Sequence, residues 1–355
     1  MERFRIRQVA DAADRKAFLK LPGKLSQLRQ DEGTVRQFLN GSHPLSEDAC
    51  INHYLLAEGD EVKGRMTLTH YPGADTLYLG YFACIPDQAA ADALFRKARE
   101  VAAGLSLGSV TGPMDVSFWI SYRFKVTNFD RTFFGEPENP AYYPALFEGG
   151  GFSTAARYVS RYYRAMPEDH VLHKFGRRRE AMKQRGIRIF HPDMKAFETY
   201  LDDIHGMLME LYADFPGFQP ISREKFRKIY GSLKLAADPG LIALAYDGDK
   251  PAGFFIALPD YRDSLKRGLA WTRLWNLFRI RRKPARVVLA YAGVRRGYEG
   301  LGGALYYEVL EGVKQRRLPV VSALIQEGKV TAGFEKELVE DTTCYRLYRM
   351  DLSDE

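Results

Sequence analysis

The sequence has few cysteines and no long apolar segment. Its three cysteines, Cys50, Cys84 and Cys344, are far apart and lack the spacing of metal ligands, and an odd, scattered set is a poor disulfide framework. This composition indicates a reducing compartment. No window reaches the apolar length that spans a bilayer, and residues 1–18 have no hydrophobic signal-peptide core. We therefore expect a cytoplasmic protein, with peripheral attachment to the inner face of the membrane left open.

Several catalytic motifs are also absent. The sequence has no zinc-ligand spacing, no serine-nucleophile motif and no nucleotide-hydrolysis loop, so we expect no metal. With 355 residues, 46% of them hydrophobic, the chain is long enough for two globular domains. Its net charge of +7 favours a polyanionic partner: a phosphorylated cofactor, an anionic lipid surface or nucleic acid. The basic residues concentrate in 173–188 and 262–286. The first run is alternatively a solvated linker or helix face.

An apolar hairpin pattern occurs twice. Leu55–Met66 (LLAEGDEVKGRM) and Leu244–Phe255 (LAYDGDKPAGFF) each have a Gly-Asp turn between two apolar runs. After each copy the sequence predicts the same order of strand, helix, strand, short helix and terminal strand. Each half is therefore predicted to be an α/β domain with a mixed (α+β) sheet, divided as 1–168 and 169–355. In the second half the predicted elements are Val287–Val294, a helix around Leu305, Pro319–Ile325, Thr331–Leu338 and Tyr345–Met350.

A glycine-rich turn follows the predicted strand of the second half. Residues 290–310 read AYAGVRRGYEGLGGALYYEVL, where the strand ends at Val294 and a helix begins at about Leu301. Unpaired N–H groups at a helix N-terminus favour a pyrophosphate, and glycines let the backbone approach it. An ordinary glycine-rich turn and a dinucleotide-binding turn are the alternatives, but too little chain remains for a dinucleotide fold.

This order of elements resembles the acyl-CoA site of the Gcn5-related N-acetyltransferase (GNAT) family. The family pattern Q/R-x-x-G-x-G/A aligns with residues 297–302, where Gly300 and Gly302 match and Gly297 replaces the leading Gln or Arg. Nearly the whole chain is similar to tandem GNAT proteins of the branch that includes bacterial ceramide synthase-like N-acyltransferases. The segments that carry this similarity are GYF (80–82), TGP (111–113), NPAYY (139–143), EGGGF (148–152), GFQPIS (217–222) and ALPDY (257–261).

The resemblance implies an acyl-CoA site in the second domain and a transfer without a covalent enzyme intermediate. We assign the base to Glu327 or Tyr291, with core packing as the alternative for Tyr291. Two positions depart from the family: Gln326-Glu327-Gly328 replaces a Glu-Asp-Asn-like turn, and Phe334 stands where many members have a tyrosine acid. The predicted donor-binding residues are Ala292, Gly293, Val294, Arg295, Arg296, Gly297, Gly300, Leu301, Gly302, Gly303 and Ala304.

The first half lacks the phosphate turn, because residues 85–90 read IPDQAA. We expect it to bind no CoA and to shape the acceptor side of a cleft. Core packing and turn capping are the alternative roles of the residues concerned. The predicted acceptor-binding residues are Asp115, Ser117, Asn139, Tyr142 and Tyr143.

A basic insertion, SLKRGLAWTRLWNLFRIRRK, spans residues 264–283. Aromatic residues on one helix face beside cations suit an anionic membrane surface, and a face packed on its own domain is the alternative. Docking on a membrane would favour a long-chain acyl donor or a lipid-like amine. The predicted membrane residues are Trp271, Leu274, Trp275, Phe278, Arg281 and Arg282.

These patterns together predict an N-acyltransferase. It would move an acyl group from acyl-CoA, or from acyl carrier protein, to an amine, and nucleic acid is not an expected partner. Two alternatives stay open: an aminoacyl-tRNA-dependent transferase, because that group also pairs GNAT folds, and a GNAT pair that binds an acyl thioester without turnover.

Overall fold

Both hairpins predicted from the sequence are present, and each is part of a β-sheet. The computed structural model describes residues 3–26, 31–170, 172–265, 270–328 and 336–352. The first half of the chain contains β1 (Arg5–Gln8), α1 (Ala12–Leu25), α2 (Glu32–Leu39), β2 (Cys50–Glu58), β3 (Glu61–His70), β4 (Thr76–Cys84), α3 (Gln88–Gly104), β5 (Ser109–Gly112), β6 (Phe124–Lys125), α4 (Tyr143–Gly149) and β7 (Ser153–Tyr163).

The second half repeats this order with an added helix before its first strand, an added short helix before its hairpin and another helix after the hairpin. It contains α5 (His173–Gln184), β8 (Ile187–Phe190), α6 (Phe197–Leu211), α7 (Arg223–Tyr230), α8 (Leu233–Ala236), β9 (Ile242–Asp247), β10 (Lys250–Pro259), α9 (Ala270–Arg282), β11 (Val287–Val294), α10 (Leu301–Gln315), β12 (Val320–Gln326) and β13 (Val339–Asp351).

Contacts between Cα atoms divide the chain into two units. The first unit is Met1–Asp130, Pro137–Tyr158 and Thr343–Glu355, and the second is Arg131–Glu136 and Val159–Thr342. The predicted division into 1–168 and 169–355 differs from these units chiefly at the C-terminus, because the last residues pair with strands of the first unit. Tyr348 of β13 faces Gly112 of β5 in an antiparallel register.

Each unit has a mixed sheet. In the first, β1 to β4 pair in antiparallel order, and β5 then lies parallel to β4. In the second, β8 to β11 are antiparallel neighbours, and β12 is parallel to β11. Each parallel pair is joined by one helix, α3 or α10, as a crossover between parallel strands requires. No helix in the described parts of the chain is long and apolar enough to cross a membrane.

The helix α10 is held by its apolar face. Leu305, Tyr306, Val309, Leu310 and Val313, which recur at helical spacing, are all buried. Burial of each large side chain stabilises the unit by about 1.5–3 kcal/mol, so the position of the helix start is well determined by its own core. The predicted bounds of β11 and the predicted start of α10 are confirmed. The predicted helix at 331–338 falls mostly outside the described residues, and its last part, Lys336–Leu338, is a 3-10 turn.

Candidate active site

The strands β11 and β12 separate halfway along β11. Their parallel register runs only from Val287 to Leu289. Further along β12, the Leu324 N–H donates a hydrogen bond to Ser160 Oγ at 2.9 Å, on the edge of β12 that faces away from β11. Beyond Leu289, β11 pairs with β10 alone among the strands that the structure describes. The edge of Ala290–Val294 that faces away from β10 therefore borders a gap. The predicted donor-binding residues Ala292, Gly293 and Val294 lie at this gap.

The N-terminus of α10 lies beside the same strand end. A β-carbon added at Gly302 would stand 3.6 Å from Val294 Cγ2. The helix begins after Gly300, whose φ of 89° is in the left-handed region that favours glycine, and no described side chain caps its first turn. The N–H groups of Leu301 and Gly303 donate to the carbonyls of Tyr298 and Gly300, each at 3.1 Å. Within the described residues, the Gly302 N–H and the positive end of the helix dipole are therefore what the first turn leaves beside the gap. The predicted set Leu301, Gly302, Gly303 and Ala304 forms this first turn.

The two arginines of the turn have different environments. Arg295 Nε pairs with Glu210 at 2.8 Å, and its Nη1 donates to the Pro251 carbonyl at 2.7 Å. Its guanidinium is therefore held by protein groups. Arg296 is exposed and forms no ion pair with any residue in the described part of the chain. Of these two predicted donor-binding arginines, Arg296 is the one whose charge is available.

Two further cations reach the turn from α5, and sequence reasoning did not identify them. Arg178 lies against the backbone of the helix start, with Nη1 2.7 Å from the position that a β-carbon of Gly303 would take. Arg185, the C-terminal cap of α5, donates to the Gly297 carbonyl at 3.4 Å. The signal available in the sequence was the basic run at 173–188. It predicted a polyanionic partner but not the positions of these two side chains.

The two candidate bases belong to neighbouring strands, Tyr291 to β11 and Glu327 to the turn after β12. Tyr291 is 46% exposed on β11, so the core-packing alternative for it is wrong. Glu327 is exposed beyond the end of β12, and Phe334 lies outside the described residues. A third group, Tyr230 at the end of α7, is an electrostatic neighbour of Tyr291. Burial, and to a smaller extent the Tyr291 charge, raises the pKa of the Tyr230 phenol well above its usual value, so this hydroxyl keeps its proton.

The corresponding gap in the first unit is closed by the chain itself. The Met114 N–H donates to the Leu79 carbonyl at 2.8 Å, and Asp115 Oδ1 accepts from the Tyr81 N–H at 2.5 Å. Gly80 permits this approach, because any β-carbon there would lie 1.8 Å from the Met114 carbonyl oxygen. The start of α3 is capped by the Asp87 carboxylate, which accepts from the Ala89 N–H. An acidic cap replaces the phosphate turn, as the sequence predicts.

The five predicted acceptor-binding residues all lie in the first unit and use their polar atoms internally. Asn139 accepts from the Lys125 N–H and donates to its carbonyl, and Ser117 Oγ accepts from the Trp119 N–H. The hydroxyls of Tyr142 and Tyr143 bond the carbonyl and the N–H of Cys84. Asp115 closes the strand gap. Acceptor binding by these residues stays a prediction, and their hydrogen bonds favour the alternative of core packing and turn capping.

The Asp115 carboxyl predicts a measurable pH effect. Burial raises its pKa from 3.8 to about 6, so the folded state binds the proton more tightly than the unfolded state. Stability from this group is present below pH 3.8 and is lost as the pH rises through 6, by roughly 2–3 kcal/mol. Relative to Asp115→Asn, the wild type should lose this amount between pH 4 and pH 7 in urea unfolding. Parallel pH profiles of the two proteins would contradict it.

The insertion helix α9 exposes its aromatic face. Trp271 is 69% exposed and Trp275 62%, with Leu274 and Phe278 also exposed, whereas Leu277 packs with Ala236 and Tyr261. The alternative that this face packs on its own domain is therefore wrong. Arg279 stacks on Trp275 and Arg281 on Phe278, each at 5.4 Å, and Arg282 is exposed.

A buried clamp fixes the base of this insertion. Asp260 accepts from Arg286 Nε at 2.9 Å, and the Asp260 N–H donates to the Arg286 carbonyl at 2.9 Å. The Tyr261 hydroxyl, fully buried, donates to the Ala236 carbonyl at 2.7 Å. The ALPDY segment thus joins the two ends of the insertion, so α9 is held on the second unit with its aromatic face outward.

Comparisons with known proteins agree with this architecture. No family model matches the chain. It is 23% identical over 315 residues to a bacterial ceramide synthase from Caulobacter vibrioides, covering 82% of this chain and 80% of that protein. A tandem GNAT protein from the clavulanic acid biosynthesis pathway matches with a TM-score of 0.53 and 12% identity, over 99% of this chain and all of that one. A GCN5-related N-acetyltransferase from Sphaerobacter thermophilus gives a TM-score of 0.52 and 14% identity, over 99% and 96% of the two chains. The chain has the tandem GNAT fold, and the predicted fold class and resemblance are confirmed.

Proposed function

We propose that this protein is an N-acyltransferase that moves an acyl group from acyl-CoA to a lipid-like amine at the membrane surface. The observation that carries the proposal is the gap between β11 and β12 next to the start of α10, where no described side chain caps the helix. The first unit provides an internal contrast, since Asp115 and Asp87 close the same two features there. The tandem GNAT fold and the 23% identity to a bacterial ceramide synthase support an amide-forming reaction.

The donor would bind with its phosphates at the start of α10. The Gly302 N–H, the positive end of the helix dipole and the cations Arg178, Arg185 and Arg296 would neutralise the pyrophosphate. The arm of the donor would then lie along Ala290–Val294, whose backbone edge away from β10 would pair with its amide groups and polarise the thioester carbonyl. These roles use backbone geometry and charge, and no side-chain nucleophile is required.

The transfer itself needs one base and one acid. The amine nitrogen attacks the thioester carbonyl, the carbon–sulfur bond breaks, and the thiolate takes a proton while the amine loses one. Tyr291, exposed at the gap, is the side chain best placed to move a proton, and Glu327 remains the second candidate. The Tyr230 hydroxyl, which keeps its proton, would remain a neutral neighbour of Tyr291, and the proton that the amine loses would pass to the leaving sulfur.

A direct assay tests the proposal. The full-length protein is incubated with palmitoyl-CoA, anionic vesicles and a long-chain amino alcohol, and thiol release is measured together with the amide product by mass spectrometry. We expect both in equal amounts. Binding of palmitoyl-CoA without thiol release, across a panel of primary amines, would instead favour a GNAT pair that binds an acyl thioester without turnover.

Replacement of Tyr291 by phenylalanine should reduce kcat by about a hundredfold with little change in the donor KM, because it removes only a proton-transfer group. Folding should be unaffected, since the side chain is 46% exposed. Tyr307→Phe, a change at another partly exposed tyrosine of the same unit, is the matched control and should be silent. Equal rates for Tyr291→Phe and wild type would assign the proton transfer to Glu327 or to water instead.

A further inference from the structure

The β9–β10 hairpin contacts the glycine-rich turn that precedes α10 (residues 295–300). Asp247, the last residue of β9, accepts a hydrogen bond from the Tyr298 hydroxyl, with 3.0 Å between the two oxygen atoms. The backbone of Tyr298 takes part as well, because its carbonyl accepts from the Leu301 N–H at 3.1 Å. Tyr298 therefore joins the turn to the hairpin through its side chain and to the first residue of α10 through its backbone.

The first unit links its own hairpin to its own crossover helix in a different way. Glu58 stands where the repeated hairpin pattern has Asp247, and it pairs with Arg3 Nε at 2.6 Å. The same guanidinium pairs through Nη1 with Asp87, the N-cap of α3, at 2.9 Å. In both units, an acidic residue of the hairpin is thus joined to the segment at the start of the helix.

The connection between strand and helix is longer in the second unit. Ile85 and Arg295 occupy equivalent places, since their N–H groups donate to the carbonyls of Lys63 and Ala252, which match in the hairpin repeat. The helix α3 begins three positions after Ile85, whereas α10 begins six positions after Arg295. The longer connection contains Tyr298, so its hydroxyl holds a part of the chain that the first unit lacks.

The charges around the Tyr298 hydroxyl keep it a hydrogen-bond donor. The bond to Asp247 is the main cause that raises the pKa of this phenol, while the charges of Arg295 and Arg185 act in the opposite direction. The hydroxyl therefore keeps its proton at neutral pH. Because it engages one oxygen of Asp247, the carboxylate competes less with a donor phosphate for Arg185.

We propose that Tyr298 is a positioning residue for the acyl donor, and that its hydrogen bond to Asp247 holds the glycine-rich turn in the shape that receives the phosphates. This inference rests on the proposed function and adds a residue pair to its donor site. A turn that already has its binding shape binds more tightly, because less conformational freedom is lost when the donor arrives. Tyr298 acts through the Gly302 N–H and the helix start, which it holds in place.

Removal of the hydrogen bond tests the inference. Tyr298→Phe should raise the dissociation constant for palmitoyl-CoA about fivefold in calorimetry, since one hydrogen bond at the surface contributes modestly. In an Asp247→Ala background the same change should have no further effect, because the partner is already absent. Asp247→Asn removes the same charge as Asp247→Ala but keeps an acceptor oxygen, so it should bind palmitoyl-CoA about fivefold more tightly than Asp247→Ala.

A split between binding and turnover separates positioning from catalysis. With saturating palmitoyl-CoA, kcat of Tyr298→Phe should stay within about twofold of wild type, because the hydroxyl does not touch the reacting atoms. Tyr246→Phe is the matched control: it removes another tyrosine–aspartate hydrogen bond of the same unit, from Tyr246 to Asp203, and should leave the donor affinity unchanged.

Three results would overturn the inference: equal affinity of Tyr298→Phe and wild type, the same loss from Tyr298→Phe in the Asp247→Ala background, or an equal loss in the Tyr246→Phe control. Failure of the proposed function has a different signature. If wild-type protein binds no palmitoyl-CoA, the donor site itself is wrong, and the positioning role is overturned with it.

Discussion

Replacing Gly302 by valine should weaken acyl-CoA binding by roughly a thousandfold while the second unit stays folded. The added carbons would point toward Val294, into the space between the strand end and the helix start. They would displace the donor phosphates from the helix start and from the arginines beside it, and two or more charge-assisted hydrogen bonds of about 1.5–3 kcal/mol each would be lost. Calorimetry with palmitoyl-CoA measures the effect.

Gly302 is a better position for this test than Gly300. A residue with a β-carbon is strained at Gly300 because of its positive φ, so its replacement would mix a folding defect with a binding defect. At Gly302 the nearest atom to an added β-carbon is at an ordinary contact distance. Gly312→Val, on the same helix with its nearest contact at 3.8 Å, is the matched control. Unchanged affinity of Gly302→Val for palmitoyl-CoA, or an equal loss of affinity in both variants, would show that the donor does not bind at this turn.

Local signals in the sequence predicted the turn well. Three signals lie within about twenty-five residues: the apolar run that ends at Val294, the glycines, and the helical spacing of Leu305 to Val313. Each of them predicts its element without reference to the rest of the chain. The bounds of β11 agree with the structure for this reason. The gap beside β11 could not be predicted from this segment alone. It depends on where the pairing of β12 with β11 ends and on the hydrogen bond to Ser160, which is distant in the sequence.

Tertiary partners account for what the sequence did not predict. Arg185 reaches Gly297 across 112 positions of the chain, and nothing in the basic run itself indicates that contact. Tyr142 and Tyr143 resemble ligand-binding residues as a pair, but their hydroxyls bond the two backbone groups of Cys84. In the same way, periodicity placed Trp271 and Trp275 on one face of α9, and only the packing of Leu277 determined that this face is outward.

Replacing Trp271 and Trp275 by alanine should reduce binding to anionic vesicles by roughly a thousandfold. Each exposed indole would bury apolar surface in the interface, contributing about 2 kcal/mol, and the two together give about three decades in the partition coefficient. Arg281, Arg282 and Lys283 would add about 1 kcal/mol each at low salt. Binding of the wild type should thus need both phosphatidylglycerol and low ionic strength, which vesicle flotation measures directly.

The structure also predicts that this variant stays folded, because the two side chains are 69% and 62% exposed. Leu277→Ala gives the opposite pattern as a matched control: it removes the buried contact with Tyr261 and Ala236, so it should lower the unfolding temperature. Turnover of palmitoyl-CoA on vesicles should fall in the double tryptophan variant, while that of a short-chain donor and a soluble amine should not. If the wild type ignores phosphatidylglycerol vesicles at low salt, α9 does not bind membranes, and its exposed face serves another partner.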